Sequence, residues 1–320
     1  MRPFLLGFVC ASSLVACGAR SDLGLDEPAP LYDLDSGMPV ETDDASVPPV
    51  ADAAPEATPD VTVVDANPPP VMTSSCVEAG ITYVYAITEE GALFRFYPPS
   101  ATFDLIGYLD CVGETSTPFS MGVDRSGIAW VEYSDGTLFR VDTANAHCML
   151  APYPTDQRGW NTFGMGFAAN TDDGGETLYV AESSYSHPSL GLGYVDFNGY
   201  FLRIVGPFKP ALYDAVELTG TGDGRLYAFS LNTLNDGSKI AEVDPSRGTV
   251  KNVVDLPTVG TSDSSFAFAY WGGDFYLFTG PGGGGVTEVD RYRPSDGSVV
   301  NVAVLNDSVV GVGVSTCAPE

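Results

Sequence analysis

From residue 76 onward, apolar and aromatic residues fall in short runs broken by Gly, Asp, Asn and Pro, and the helical period is missing. This pattern predicts an all-β domain. One apolar–aromatic–small run recurs, as Val84-Tyr85-Ala86, Ala129-Trp130-Val131, Leu178-Tyr179-Val180, Leu226-Tyr227-Ala228 and Phe275-Tyr276-Leu277. The aromatic positions 85, 130, 179, 227 and 276 are 45, 49, 48 and 49 residues apart. That interval is the length of one four-stranded propeller blade.

Each run leads through a hairpin to another strand that ends in Val-Asp or a close equivalent, as in Asp135-Gly136-Thr137 followed by Val141-Asp142, or Asp236-Gly237-Ser238 followed by Val243-Asp244. Asp-Gly supplies the positive φ angles of a tight hairpin. The recurring Asp142, Asp196, Asp244 and Asp290 are expected to be turn residues that accept local backbone N–H groups, one per blade, and not catalytic acids. An inner strand precedes each run at Phe119–Val123, Phe163–Phe167, Ala215–Leu218 and Ser265–Ala269, but the first blade has none before it. The terminal Val309–Val314 run fills that vacancy. The predicted domain, residues 76–320, is therefore a single five-bladed β-propeller closed by its C-terminal strand, which removes unpaired sheet edges.

Four cysteines lie in this domain, an even number suited to disulfides in an exported protein. Closure brings Cys76 and Cys317 to one seam, and Cys111 and Cys148 are expected to end the outermost strands of blades one and two, which predicts those two pairs. Zinc is the competing reading, but it lacks a Cys-x-x-Cys pair and would have only His147 and His187 to assist.

The N-terminus is of another kind. Arg2 precedes a short apolar run and then Leu14-Val15-Ala16-Cys17, which resembles the bacterial lipobox. The resemblance implies a signal peptide over residues 1–16, acylation of Cys17 including palmitate, and anchoring by lipid in the cell envelope. Gly18 after the cysteine points to the outer membrane of a Gram-negative bacterium. Cleavage after Ala16 by an ordinary signal peptidase is the alternative. Residues 17–75 alternate Pro and Ala with twelve acids against one base, Arg20, and are expected to be a disordered, extended tether. The whole chain carries 42 acids and 14 Lys or Arg, a formal charge of −28, which argues against nucleic acid as a partner.

The Leu-Tyr-Val and Val-Asp-x-x-x-Gly rhythm resembles bacterial propellers of the NHL and quinoprotein type over residues 76–320. The resemblance implies an architecture and no particular activity. Ligands of propellers sit where inner strands begin, which here means Thr117, Asn161, Asp214, Ser264 and Asp307. Asp214 with Asp307, helped by Glu217, could supply the paired carboxylates of a glycoside hydrolase. Trp160, in a long loop beside Arg158 and Gly159, is expected to be exposed and, with Asn161, to contact a ligand; Trp271, Tyr185 and Tyr270 are further stacking candidates. Asn170, Asp172, Asp173 and Glu176 offer oxygens to calcium at a spacing unlike an EF-hand, so a plain turn is favoured over a metal site. Gly282-Gly283-Gly284-Gly285 lacks the Lys and helix of a phosphate loop and reads as a hairpin. No nucleophile elbow and no His-Glu-x-x-His motif is present. The sequence thus predicts a non-enzymatic binding or scaffold module for a glycan or envelope protein, with no cofactor; the alternative is a carbohydrate-active hydrolase.

Overall fold

The computed structural model describes Cys76 and residues 82–111, 116–183, 189–212, 215–231, 237–261 and 264–320. Cys17, the signal region and the proposed tether lie outside the described residues, as do Asp214, Tyr185 and His187. All regular structure among the described residues is strand.

Four consecutive strands build each blade after the first. Blade one holds β1 (Val84–Thr88), β2 (Ala92–Tyr97) and β3 (Thr102–Tyr108). Blade two is β4 (Pro118–Val123), β5 (Ile128–Tyr133), β6 (Leu138–Asp142) and β7 (Cys148–Leu150). Blade three is β8 (Phe163–Ala169), β9 (Glu176–Glu182), β10 (Leu192–Asp196) and β11 (Phe201–Gly206). Blade four is β12 (Val216–Gly220), β13 (Leu226–Leu231), β14 (Ser238–Val243) and β15 (Val250–Leu256). Blade five is β16 (Ser265–Trp271), β17 (Asp274–Gly280), β18 (Thr287–Arg293) and β19 (Ser298–Leu305). The last strand, β20 (Val309–Val314), returns to blade one and pairs antiparallel with β1, Val84 opposite Val314 and Ala86 opposite Val312.

The repeating aromatics all fall on the second strand of a blade, and burial grades outward from it. Inner strand β8 is buried along its length, whereas outer β3 and β19 are mostly half-buried or exposed. Hydrophobic side chains form five clusters, one at each blade-to-blade interface. Trp130 and Leu138 of blade two meet Phe163, Met165 and Leu178 of blade three, for example. Phe96 of blade one meets Tyr276 and Phe278 of blade five at ring separations of 5.7 Å. The core is a ring of facing sheet surfaces, so each blade depends on both neighbours for burial.

Two disulfides join the predicted pairs, Cys76 to Cys317 and Cys111 to Cys148. The first closes a loop with a sequence separation of 241 at the seam, a constraint on the unfolded chain worth on the order of 5 kcal/mol in the chain-entropy view. Next to it the Trp271 indole N–H donates to the Thr82 carbonyl at 2.9 Å, tying blade five to the entry of blade one. The second joins blades one and two, although Cys148 opens β7 rather than ending it, and Cys111 lies three residues past β3.

Asp142, Asp196 and Asp244 each accept the N–H two residues on, as turn aspartates should. Asp290 does not. It lies in the middle of β18, which runs on to Arg293, and there accepts from the Asn301 amide, while Asp296 supplies the turn bond to Ser298 in its place.

Five blades leave little room at the axis, and inner-strand glycines absorb the crowding. A Cβ at Gly164 would lie 2.0 Å from the Val216 carbonyl oxygen, and one at Gly166 would lie 2.6 Å from that of Leu218. Backbone cannot yield as a side chain does. Gly164→Ala is expected to cost about 3 kcal/mol of stability, read from urea unfolding of the oxidised protein.

Candidate functional site

Inner strands begin, and second strands end, on one face of the ring, and there all five blades contribute to a cavity of about 230 Å³. Blade one supplies Glu89 and Val310, blade two Thr117 to Phe119, and blade three Ser183. Blade four supplies Glu217, and blade five supplies Ser264 to Phe266 with Gly282 and Gly283. The lining residues are mixed, with Thr117, Ser183, Ser264 and Ser265, the aromatics Phe119 and Phe266, and the acids Glu89 and Glu217; the Phe266 ring also packs on Phe229 in the core, and the Ser265 hydroxyl donates to the Val309 carbonyl.

Glu217 sits at the inner end, 4% exposed. Its Oε2 accepts from the Ser120 hydroxyl at 2.9 Å, and Ser120 Oγ accepts the Met165 N–H at 3.2 Å. This link runs from blade four to blade two across the inner strand of blade three, so it closes the channel beneath the cavity. Burial pushes the Glu217 carboxyl well above its ordinary range, and only partly do the Ser120 and Met165 donors oppose the rise. Glu132, fully buried on β5, is also raised by burial; its Oε2 takes the Phe163 N–H at 2.8 Å, stitching blade two to blade three, and the Glu217 charge adds to the rise. At the rim, Glu89 Oε2 accepts the Gly283 N–H at 3.0 Å across the blade one–blade five seam. The positive φ angles of Gly282, Gly283 and Gly284 give the hairpin between β17 and β18 the shape that presents this N–H.

The opposite end of the channel is occupied by protein. Thr316, just past β20, accepts from Arg125 Nε at 2.7 Å and donates to Glu176 at 2.8 Å, while Glu320 accepts the Asp223 N–H at 2.8 Å. The cavity therefore opens on one face.

Of the residues singled out in the sequence, Thr117, Ser264 and Glu217 meet at this cavity. Asp307 is half-buried and faces elsewhere: its carboxyl shares a hydrogen bond with Glu90, which raises the Glu90 carboxyl above its ordinary range. Asp307 is not among the residues lining the cavity, and Asp214 lies outside the described residues. Asn161 is exposed away from the cavity, its carbonyl against Gly136 of the neighbouring blade.

Trp160 is buried, 3% exposed, contrary to expectation. Positive φ at Asp156, Arg158 and Gly159 turns its loop back on itself, and the indole packs with Val195 and Leu202, over Gly193, where a missing side chain leaves the space. Tyr270 is stacked on Tyr227 with centroids 5.7 Å apart, and Trp271 is held by Thr82. Asp172 and Asp173 are exposed in the β8–β9 turn on the far face, where Asp173 accepts the Gly175 N–H, which lowers its carboxyl, and Glu176 is taken by Arg125 and Thr316. His147 pairs with Asp110 at 2.8 Å.

Glu89 and Ser183 escaped sequence reading, which looked only at strand starts. Each lies four residues after a repeating aromatic, Tyr85 or Tyr179, where the second strand reaches the same face.

Fold and site together define a five-bladed β-propeller with a single-sided mouth cavity. No family model matches the chain, and no curated protein matches it. Among solved structures, a nidogen/laminin complex chain is 11% identical with a TM-score of 0.46, over 74% of this chain and 100% of that one. A protein of unknown function from Bacteroides caccae is 10% identical with a TM-score of 0.41, over 73% and 99%. The GH43_1 enzyme of Xanthomonas citri, complexed with xylotriose, is 12% identical with a TM-score of 0.43, over 61% and 75%. Likenesses this weak carry no argument about function.

The raised Glu217 carboxyl makes stability depend on pH. A group whose folded-state value is raised contributes stability that is complete below its ordinary value of 4.5 and is lost as pH rises through the folded value. Glu217→Gln, neutral throughout, is expected to match the wild type near pH 4, to gain on it by up to about 1.4 kcal/mol per pH unit between 4.5 and the raised folded value, and to hold a constant advantage above that. Paired denaturant titrations across pH measure this; equal slopes for the two proteins would contradict it.

Proposed function

We propose that this protein is a lipid-anchored component of the bacterial cell envelope whose propeller binds one small group of a glycan or envelope protein, without catalysis. The observation that carries the reading is the mouth cavity, to which all five blades contribute and whose floor the Ser120–Glu217 bond closes. Its volume of about 230 Å³ falls below that of sites for drug-sized ligands, so it suits a single sugar residue or side chain presented at a chain end or protruding from a surface. Hydroxyls fix orientation, and the two phenyl rings supply apolar contact.

Anchoring is supported by Leu14-Val15-Ala16-Cys17, and export by two disulfides in the propeller, which persist in oxidising compartments. The acidic chain of −28 weighs against nucleic acid as a partner. A hydrolase remains the second reading, because a buried carboxyl with a raised pKa in a cavity has the properties of a general acid. Of its expected partners, Asp307 does not line the cavity and Asp214 lies outside the described residues.

Two variants test the proposal in envelope preparations and on glycan and peptide arrays. Ser264→Trp fills the mouth from an exposed position and is expected to weaken ligand capture roughly tenfold or more, with the unfolding midpoint unchanged. Cys17→Ser is expected to abolish lipid incorporation and move the protein from the membrane pellet to the soluble fraction. Capture unaffected by Ser264→Trp would refute the site, sedimentation unaffected by Cys17→Ser would refute the anchor, and turnover of a captured glycan would favour the hydrolase.

A further inference from the structure

We propose that the mouth cavity recognises an ammonium group, with Glu217 at the floor and Glu89 at the rim as its two carboxyl partners. The inference rests on the reading of the mouth as the binding site and names the chemistry that site selects.

The charge pattern of the wall points this way. Its ionisable side chains among the described residues are the two carboxyls, and no Lys or Arg joins them. Glu132 on β5, which feels the Glu217 charge, is buried and of the same sign. Residues 76–320 hold 30 acids against 12 Lys or Arg, a net negative charge that favours the approach of cations.

The shape agrees with the charge. A cavity of about 230 Å³ admits an alkylammonium or one aminated sugar ring, and Phe119, half-buried in its lining, is of the type that gives such a group cation–π and apolar contact. Glu217 is 4% exposed and already oriented by Ser120, so a bound ammonium would meet a preorganised carboxyl away from bulk water, where a charge-assisted hydrogen bond is strong. Hydroxyls of Thr117, Ser183 and Ser264 can take the remaining N–H groups.

Binding involves a proton. Burial favours the protonated form of Glu217, whereas a bound ammonium favours the carboxylate that accepts from both the ligand and Ser120, so any proton the acid holds passes to solvent on binding. Affinity therefore rises with pH over the range in which Glu217 titrates and levels off above it. A neutral ligand accepting from the protonated acid would show the opposite trend.

Calorimetric titration of the full chain separates these cases, using Nα-acetyl-lysine methylamide against its Nε-acetyl derivative and glucosamine against N-acetylglucosamine. The ammonium member of at least one pair is expected to bind, and its acetylated counterpart to bind roughly tenfold or more weakly. Which pair responds tells a peptide source from a sugar source. Glu217→Gln and Glu89→Gln should each reduce affinity for the charged probe roughly tenfold. Wild-type affinity should rise as pH rises above the ordinary carboxyl value of 4.5, with proton release to buffer, and Glu217→Gln should remove that dependence. Acetylated probes binding as tightly as charged ones, or binding by none of the probes, would overturn the ammonium inference while leaving the mouth open to neutral groups. Charged-probe binding that survives Ser264→Trp would instead refute the mouth as the site.

Discussion

The pairing of β20 with β1 is the constraint on which the rest of the molecule depends. It joins residues 309–314 to residues 84–88 across almost the whole length of the domain, and it makes blade one a complete four-stranded sheet. Without it, β1 would present an open edge at the axis, and the interface between blades five and one would lose Val309, Val312 and Val314. Because each blade buries its faces only against its neighbours, opening one interface removes a fifth of the core's layers and frees the ends of the ring. The Cys76–Cys317 bridge and the Trp271–Thr82 hydrogen bond reinforce the same seam.

Ring closure also sets the scale of the site. Five sheets converge so tightly that inner strands touch through glycine backbones, and what would be a channel is reduced to a cavity at one face. Polar groups trapped there must satisfy one another, so Glu217 reaches over blade three to Ser120 and Glu132 takes the first N–H of β8. The same crowding that raises the Glu217 carboxyl places it at the cavity to which all five blades contribute.

Much of this was legible in the sequence because it is periodic. Aromatics at 85, 130, 179, 227 and 276 mark the second strands, the unpaired C-terminal valines mark the closing strand, and closure selects the disulfide pairing. Starts of inner strands led to Thr117 and Ser264. What escaped depends on contacts distant in sequence. Trp160 looked exposed because nothing local announces that its loop folds back over Gly193. Asp307 looked available because its neighbour across the seam, Glu90, is more than two hundred residues away in the chain. Asp290 left its expected turn because β18 runs three residues beyond it, to Arg293, a lengthening that the Val-Asp repeat does not announce. Glu217 stood in the sequence as a helper, and only packing reveals it as the floor of the cavity.

Amide hydrogen exchange along the two strands of the seam tests the central claim most directly. If β20 and β1 form one sheet that locks the ring, the amides of Val84–Thr88 and Val309–Val314 that bond across it exchange only through global unfolding, at the same free energy as those of β8 and β9. Exchange of the seam amides through a local opening, at a free energy well below that of blade three, would contradict the account.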